Sequence, residues 1–219
     1  MKIEGARILV PGATGAIGNG LAERLHHRGA HIAVAGRDRA ALARLAGVCG
    51  EVPARRFDAY DLDRCADTVV WAHEVLDGLD AVVVCVGVAG FGPAETVGDA
   101  VAEHLVTVNA LAPMAFLRAA LPLVTEGGAV AAVTGIVVDV APVGMADYTA
   151  SKAALSSWLS TVRREQRRKG VSVLDLRLHH VESGFARRAV AGSAPDMPRG
   201  QTVREAVDKV VEALEDGAR

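Results

Sequence analysis

The feature that most constrains this fold is the regular alternation of short apolar segments with segments of helical periodicity. The clearest apolar segment, 80–86, is continuous and β-branched, which is typical of a parallel strand buried on both faces. Further strands are predicted at 7–10, 31–35, 52–57, 128–133 and 171–178, and helices at 17–28, 40–46, 64–75, 101–121, 148–169 and 203–215. With right-handed crossovers, this order predicts one α/β domain over residues 1–219. It is a doubly wound parallel sheet of about six strands with helices on both faces.

Composition limits the classes of function. Hydrophobic residues make up 51% of the 219 residues and charged residues 23%, which excludes a disordered chain. The net charge of −2 gives no sign of a nucleic-acid interface. The three cysteines, Cys49, Cys65 and Cys85, match no metal-site spacing and are interpreted as free thiols. Free thiols are typical of the reducing cytoplasm. The sequence also has no signal peptide and no apolar run of membrane-spanning length, so we expect a cytoplasmic protein without a membrane partner.

A glycine-rich turn, Gly12–Gly18, lies between the first strand and the first helix. Glycines allow the backbone to approach a pyrophosphate closely, and the free N–H groups of the helix N-terminus bind the anion. The alternative is a turn that only packs the helix on the sheet, and the motifs downstream argue against it. The turn therefore predicts a Rossmann-like dinucleotide-binding domain. Its predicted cofactor-binding residues are Gly12, Thr14, Gly15, Ala16, Ile17 and Gly18.

The end of the second strand selects between the two nicotinamide dinucleotides. An acidic residue there takes the ribose 2′-hydroxyl of NAD, whereas a basic one accommodates the 2′-phosphate of NADP. Gly36 stands at the expected acidic position and Arg37 follows it. A guanidinium suits a phosphate, so NADP(H) is the predicted preference, with NAD(H) also possible. The alternative is that Arg37 is only a solvated charge and Asp38 takes the ribose.

Tyr148 and Lys152 are four residues apart on a predicted helix and share one of its faces. A nearby ammonium lowers the pKa of a tyrosine, which can then exchange a proton with a carbonyl or alcohol oxygen. The same lysine is able to hydrogen-bond the nicotinamide ribose. The alternative is an exposed tyrosine beside a solvated lysine. The pair, with the glycine turn, predicts carbonyl or alcohol redox chemistry on a nicotinamide.

From about Arg7 to Phe185 the chain resembles the short-chain dehydrogenase/reductase family, in the order of that family's motifs. The resemblance implies that Tyr148 and Lys152 are the catalytic pair and that Asn109 supports a proton relay to Lys152. It also implies that Asp58 touches the adenine ring, that Gly87 follows the fourth strand beside the cofactor, and that Val181 and Ser183 belong to the segment holding the nicotinamide carboxamide. The family's long helices imply a homodimer or homotetramer.

The departures from the family pattern fall at three places. Gly135 stands where the family has its catalytic serine, so either the adjacent Thr134 replaces it or one hydrogen-bond donor is lost. The stretch Val84–Gly87 keeps only the glycine of the family's Asn-Asn-Ala-Gly, so Val84 and Cys85 replace a pair of asparagines that ties the central strands together. His179 and His180 replace a Pro-Gly pair, and two adjacent histidines are a weak metal signal, so no metal site is predicted.

The segment 184–200 corresponds to the family's substrate lid, and its arginines either meet an acidic substrate or lie on a solvated surface. The chain ends soon after the last helix, so a seventh strand is not expected. We predict an NADP-preferring oxidoreductase that reduces a small or medium carbonyl compound, or oxidises the alcohol, with Tyr148 as acid/base. The alternatives are a catalytically weak nucleotide-binding sensor or scaffold and an isomerase or dehydratase of the same fold.

Overall fold

The computed structural model describes residues 1–217 and has the predicted alternation of strands and helices. The strands are β1 (Arg7–Pro11), β2 (His31–Gly36), β3 (Ala54–Arg56), β4 (Leu79–Val84), β5 (Val124–Val133) and β6 (Ser172–Leu176). The α-helices are α1 (Ala16–His27), α2 (Arg39–Val48), α3 (Leu62–Val75), α4 (Asp99–Val106), α5 (Ala112–Ala120), α6 (Val137–Val140), α7 (Ala146–Gln166) and α8 (Val203–Asp216). A π-helical turn (Thr107–Leu111) and two 3₁₀ turns (Arg167–Lys169 and Ala186–Arg188) complete the elements.

The strands form one parallel sheet in the order β3-β2-β1-β4-β5-β6. The direction of winding reverses between β1 and β4, and a crevice opens there at the carboxyl ends of the strands. The predicted doubly wound sheet of about six strands is therefore confirmed. Beyond β6, the part of the chain that the structure describes adds only a single parallel bridge between Val181 and Gln201.

Alternate residues of each strand enter two separate cores, as the two-residue period of a strand requires. Ile8 and Val10 of β1 belong to the core beneath α1, α2 and α8, whereas Leu9 belongs to the core beneath α3, α5 and α7. Both faces of the sheet are thus covered by helices, which explains the continuous apolar run of β4.

One carboxylate joins three strands at the sheet edge where they begin. Asp80 of β4 accepts hydrogen bonds from the backbone N–H, Nε and Nη2 of Arg7 in β1, each at 2.9 Å. The hydroxyl of Thr125 in β5 donates to the same carboxylate at 2.8 Å. These bonds hold the pKa of Asp80 down at about 2, mainly through the Arg7 guanidinium.

Two sequence expectations about helices are corrected. The helix predicted at 101–121 is divided into α4, the π-helical turn and α5. The stretch Asp99–Ala120 is also long and apolar enough to cross a membrane, so the expectation that no such run exists is wrong. Half of its most apolar window is buried inside the protein, as in the core helix of a folded domain.

Candidate active site

The glycine turn lies at the carboxyl end of β1, packed tightly against its neighbours. A Cβ at Gly12 would lie 2.6 Å from the carbonyl carbon of Cys85, and one at Gly18 would lie 2.4 Å from the oxygen of Gly12. Gly15 is the N-cap of α1 and supplies no side-chain cap, so the first N–H groups of the helix, including those of Ala16 and Ile17, are left for a ligand. This is the arrangement that pyrophosphate binding requires.

The end of β2 has no room for an acidic residue. A Cβ at Gly36 would lie 2.6 Å from Cγ2 of Thr14 and 2.9 Å from its Oγ1. The carboxylate of Asp38 caps α2 by accepting a hydrogen bond from Ala41 N at 3.0 Å, and this bond lowers the pKa of Asp38. Arg37 is exposed, and its carbonyl accepts a hydrogen bond from Nε of Arg56 at 3.1 Å. The edge therefore presents guanidinium groups, and its nearest carboxylate is already engaged.

The other residues predicted to bind cofactor also follow strands at this edge. Asp58 comes after β3, is exposed, and accepts a hydrogen bond from Tyr60 N at 3.1 Å. Val181 and Ser183 come after β6 and are partly buried, with the Ser183 N–H donating to the Val181 carbonyl at 2.7 Å. Their contacts with a cofactor remain predictions.

Lys152 is joined to the glycine turn through the loop after β4. Its side chain is 3% exposed, and Nζ donates to the Val133 carbonyl at 2.9 Å. A Cβ at Gly87 would lie 3.1 Å from this Nζ and 3.3 Å from Oδ1 of Asn109. Cys85 N donates to the Pro11 carbonyl at 2.8 Å, which holds the same loop against the end of β1. The two predicted motifs thus belong to one site.

Asn109 lies in the π-helical turn and is completely buried. Its Oδ1 accepts a hydrogen bond from Val88 N at 2.8 Å, and its Nδ2 donates to Val88 O at 2.9 Å and to Ser151 Oγ at 3.0 Å. The Ser151 hydroxyl donates in turn to the Tyr148 carbonyl at 2.7 Å. The Asn109 side chain therefore holds the loop after β4 against the first turn of α7, which carries Tyr148.

Burial changes both ionisable groups of the predicted pair. It raises the pKa of Tyr148 to about 12 and lowers the pKa of Lys152 to about 8. The sequence analysis expected the ammonium to lower the pKa of the tyrosine, whereas this pKa is raised. Loss of hydration dominates for the half-buried phenol. Tyr148 is accordingly a neutral phenol at neutral pH, packed beside Phe185 with ring centroids 6.4 Å apart.

The hydroxyl of Thr134 is directed away from a role as a replacement for serine. It donates to Asp175 of β6, whose other carboxylate oxygen accepts from Ser156 at 2.6 Å and from Arg177 Nε at 3.1 Å. With its single proton committed, Thr134 cannot also donate to a substrate oxygen. This hydrogen bond favours the second alternative, in which Gly135 leaves the site with one donor fewer, and a catalytic role for Thr134 stays a prediction.

Asp175 was missed by the sequence analysis, although a lone carboxylate within the apolar strand β6 is a visible signal.

Cys85 and the His179–His180 pair, which depart from the family pattern, have no catalytic geometry. Burial raises the pKa of the Cys85 thiol to about 12, so it is not a reactive thiolate. His180 faces Glu182 at 3.5 Å, and within residues 1–217 no three His, Cys, Asp or Glu side chains are grouped to hold a metal ion.

Comparison with known proteins agrees with this geometry. The family model described as short chain dehydrogenase matches residues 6–194. The chain belongs to the short-chain dehydrogenase family. The match includes the glycine turn, Asn109, the Tyr148–Lys152 pair and most of the lid, so membership of an oxidoreductase family that uses NAD(P)(H) is established for this chain.

Individual relatives of this short-chain dehydrogenase are distant. An uncharacterised oxidoreductase of Myxococcus xanthus is 31% identical, covering 75% of this chain and 68% of that protein. Hydroxysteroid 11-beta-dehydrogenase 1-like protein of Bos taurus is 28% identical and covers 75% of this chain. The chain spans 59% of the length of that bovine relative. The crystal structure of BdcA in complex with NADPH superimposes with a TM-score of 0.85 at 24% identity, covering 98% of this chain and 88% of BdcA, which supports the fold.

Proposed function

We propose that this short-chain dehydrogenase is an NADP-preferring enzyme that reduces a small or medium carbonyl compound, or oxidises the corresponding alcohol, with Tyr148 as the acid/base. The observation that carries the proposal is the continuous contact from the glycine turn through Cys85 and Gly87 to Lys152, one helical turn after Tyr148. It brings a dinucleotide seat and a proton donor to the same end of the sheet.

The residues present fit a dinucleotide. The N-terminus of α1 has no side-chain cap and is open to a pyrophosphate, and the missing side chain at Gly87 lets the loop after β4 approach the Lys152 ammonium closely. An ammonium has three protons to donate, and the Val133 carbonyl accepts only one, so two remain for ribose hydroxyls. When bound, the nicotinamide supplies or accepts the hydride.

The protonation state of Tyr148 fits its role as a proton donor to a carbonyl oxygen. With a pKa raised to about 12, the phenol keeps its proton throughout the neutral range and is ready to donate it to a carbonyl oxygen. Asn109 and Ser151 fix the backbone of the turn that carries this phenol. Proton abstraction from an alcohol by the same residue requires the phenolate, which burial disfavours.

A second candidate is a catalytically weak nucleotide-binding sensor or scaffold. The observation in its favour is the pairing of Thr134 with Asp175 next to Gly135, which leaves a substrate carbonyl with one donor fewer. Loss of one such donor typically costs about 10²–10³ in rate, so it slows a reductase without abolishing it. The intact Tyr148, Lys152 and Asn109 favour the enzyme.

Tyr148→Phe tests the proposal. It removes only the phenolic hydroxyl, so the rate of NADPH oxidation with a panel of aldehydes and ketones should fall by about 10²–10⁴ while the Kd for NADPH stays unchanged. Tyr60→Phe is the matched control, because Tyr60 is 60% exposed and its hydroxyl is paired with His104, away from Tyr148 in the sequence. Undiminished turnover in Tyr148→Phe contradicts the assignment, whereas NADPH binding without turnover in the unmodified protein favours the sensor.

The cofactor preference predicts a separate result for Arg37→Ala. Loss of a guanidinium that binds the 2′-phosphate should weaken NADPH about 10–100-fold and leave the Kd for NADH unchanged. Arg44→Ala removes an equally exposed guanidinium from α2 and should change neither constant. Tighter binding of NADH than of NADPH by the unmodified protein would sink the NADP preference.

The proposed assembly is a homodimer or homotetramer formed through the α4–α5 segment and α7. Val106 and Leu111, which are 38% and 43% exposed on that segment, support it.

A further inference from the structure

A buried carboxylate lies beneath the active site and has no part in the proposed reaction. The side chain of Asp175 in β6 is 9% exposed, and both of its oxygens accept hydrogen bonds. One oxygen accepts from the Thr134 hydroxyl, and the other accepts from the Ser156 hydroxyl at 2.6 Å and from Arg177 Nε at 3.1 Å. Donors that follow β5, lie in α7 and follow β6 therefore hold this carboxylate in one place.

Asp175 and Lys152 contact neighbouring residues at the end of β5. Lys152 and Ser156 are four residues apart on α7, so they lie on one face of that helix. Lys152 Nζ donates to the Val133 carbonyl at 2.9 Å, and the next residue, Thr134, donates its hydroxyl to Asp175. The same face of α7 thus meets both the carbonyl that holds the ammonium and the carboxylate.

The charge that acts on the Lys152 ammonium comes from Asp175. Burial lowers the pKa of Lys152 to about 8, and interactions with Cys85 and Asp175 oppose this change. Burial also raises the pKa of the Cys85 thiol and that of the Tyr148 phenol to about 12, so neither group is charged where Lys152 titrates. Asn109 of the π-helical turn has no ionisable group. An interaction between two buried charges is screened little by solvent, so Asp175 is effective here.

The charges around Asp175 complement that of Lys152. Arg177 is bonded through Nε to Asp175, and its guanidinium is also paired with Asp139 of α6. Two carboxylates and one guanidinium leave one negative charge, which matches the single positive charge of Lys152. The side chains of Asp139 and Arg177 are each 41% exposed, whereas that of Asp175 is buried, so the inner charge of the group is that of Asp175.

We infer that Asp175 is a positioning residue of the Tyr148–Lys152 site, and that its carboxylate is the counter-charge that keeps the buried Lys152 in its ammonium form. The effect on the rate rests on the proposed function, because Lys152 acts there as the ribose ligand. Asp175 acts through Lys152 and needs no contact with substrate or cofactor. Without this carboxylate, more of Lys152 would be a neutral amine at neutral pH.

Titration of the lysine side chains by NMR tests the inference without substrate or cofactor. The chain has four lysines, and Lys2, Lys169 and Lys209 are exposed, so the signal lost in Lys152→Gln identifies Lys152. Asp175→Asn keeps the shape of the side chain and removes its charge. It should move the Lys152 midpoint from about pH 8 to about pH 7 or below. An unchanged midpoint in the folded variant overturns the inference.

Arg177→Gln provides a second measurement with the opposite sign. It removes the guanidinium that shares the charge of Asp175, so the Lys152 midpoint should rise towards about pH 9. Arg177→Lys keeps the positive charge and should return the midpoint to about pH 8. A midpoint that does not rise in Arg177→Gln, or that rises equally in Arg177→Lys, contradicts the inference, also where Asp175→Asn does not fold. Mere loosening of the site would raise the midpoint in every variant, because access to water favours the charged amine.

Asp139→Asn is the matched control. It makes the same chemical change in the exposed carboxylate that pairs with Arg177, and it should leave the Lys152 midpoint at about pH 8. A fall as large as that in Asp175→Asn overturns the inference.

The pH dependence of kcat/KM for NADPH oxidation is measured on the same variants, and its inflection should follow the NMR midpoint. Midpoints that move as expected without turnover, or with an inflection that stays in place, count against the proposed function. They leave the assignment of Asp175 as the counter-charge of Lys152 standing.

Discussion

Tyr148 and Lys152 show how one physical cause acts in opposite directions on neighbouring residues. Loss of hydration disfavours the charged form of each, so it raises the pKa of the phenol to about 12 and lowers that of the ammonium to about 8. Tyr148 is then protonated throughout the neutral range, whereas Lys152 titrates just above it. The pH dependence of reduction should therefore come from the lysine.

We predict that kcat/KM for carbonyl reduction is level below pH 8 and falls as the pH rises through about 8, where Lys152 loses its charge. The neutral amine has fewer protons to donate and no charge with which to hold a ribose. Pre-steady-state and steady-state rates from pH 6 to 10 measure this. Lys152→Gln should be slow and lack the inflection; an inflection that persists in this variant assigns it to another group.

At the scale of elements, an ion pair joins the strands at the end of the sheet opposite the active site. Asp80 joins the beginnings of β1, β4 and β5 through Arg7 and Thr125, and its side chain is 21% exposed. Both charges of the ion pair are largely removed from water and each carboxylate oxygen is hydrogen-bonded, so the pair is expected to contribute to stability.

Asp80→Asn should lower the free energy of unfolding at neutral pH by about 2 kcal/mol, from the depression of the Asp80 pKa. Because the folded-state pKa is lowered from 3.8 to about 2, the contribution is fully present above pH 4 and is lost as the pH falls towards 2. Urea unfolding at pH 7 and below pH 4 measures both. Glu95→Gln, at an exposed loop position, is the control for charge; equal stability of the two variants would contradict the prediction.

The elements themselves were largely predictable from the sequence, because strand and helix periods are local properties. The division of the 101–121 helix was not, since the π-helical turn accompanies the bonds of Asn109 to Val88 and Ser151, which are distant in sequence. The four-residue α6 is too short to have a period. The hydrogen bond from Thr134 to Asp175 depends on the strand register that pairs Ala132 with Asp175. That register is set by the whole sheet and is not a local property of the sequence.

At the scale of the whole molecule, chemistry and anchoring occupy opposite ends of the same strands. The glycine turn, Gly87, Gly135 and the His179–Val181 segment follow the carboxyl ends of the strands, while the Asp80 ion pair lies where the strands begin. The order of the motifs along the sequence predicted this gathering, since parallel strands bring all their carboxyl ends to one edge. The packing of Tyr148 with Phe91, Met145 and Phe185 needed the structure, because these residues come from three separate segments.

The backbone conformation of Gly135 limits which residues can replace it. Its φ is +99°, a conformation that side chains of L-residues rarely adopt, even though the nearest atom to a Cβ there, Leu178 O, is 3.6 Å away. A single replacement of this glycine by serine would restore the family's hydroxyl only at the expense of backbone strain. The obstacle is conformation rather than space, so a serine could act at this position only if the end of β5 took up a different backbone conformation.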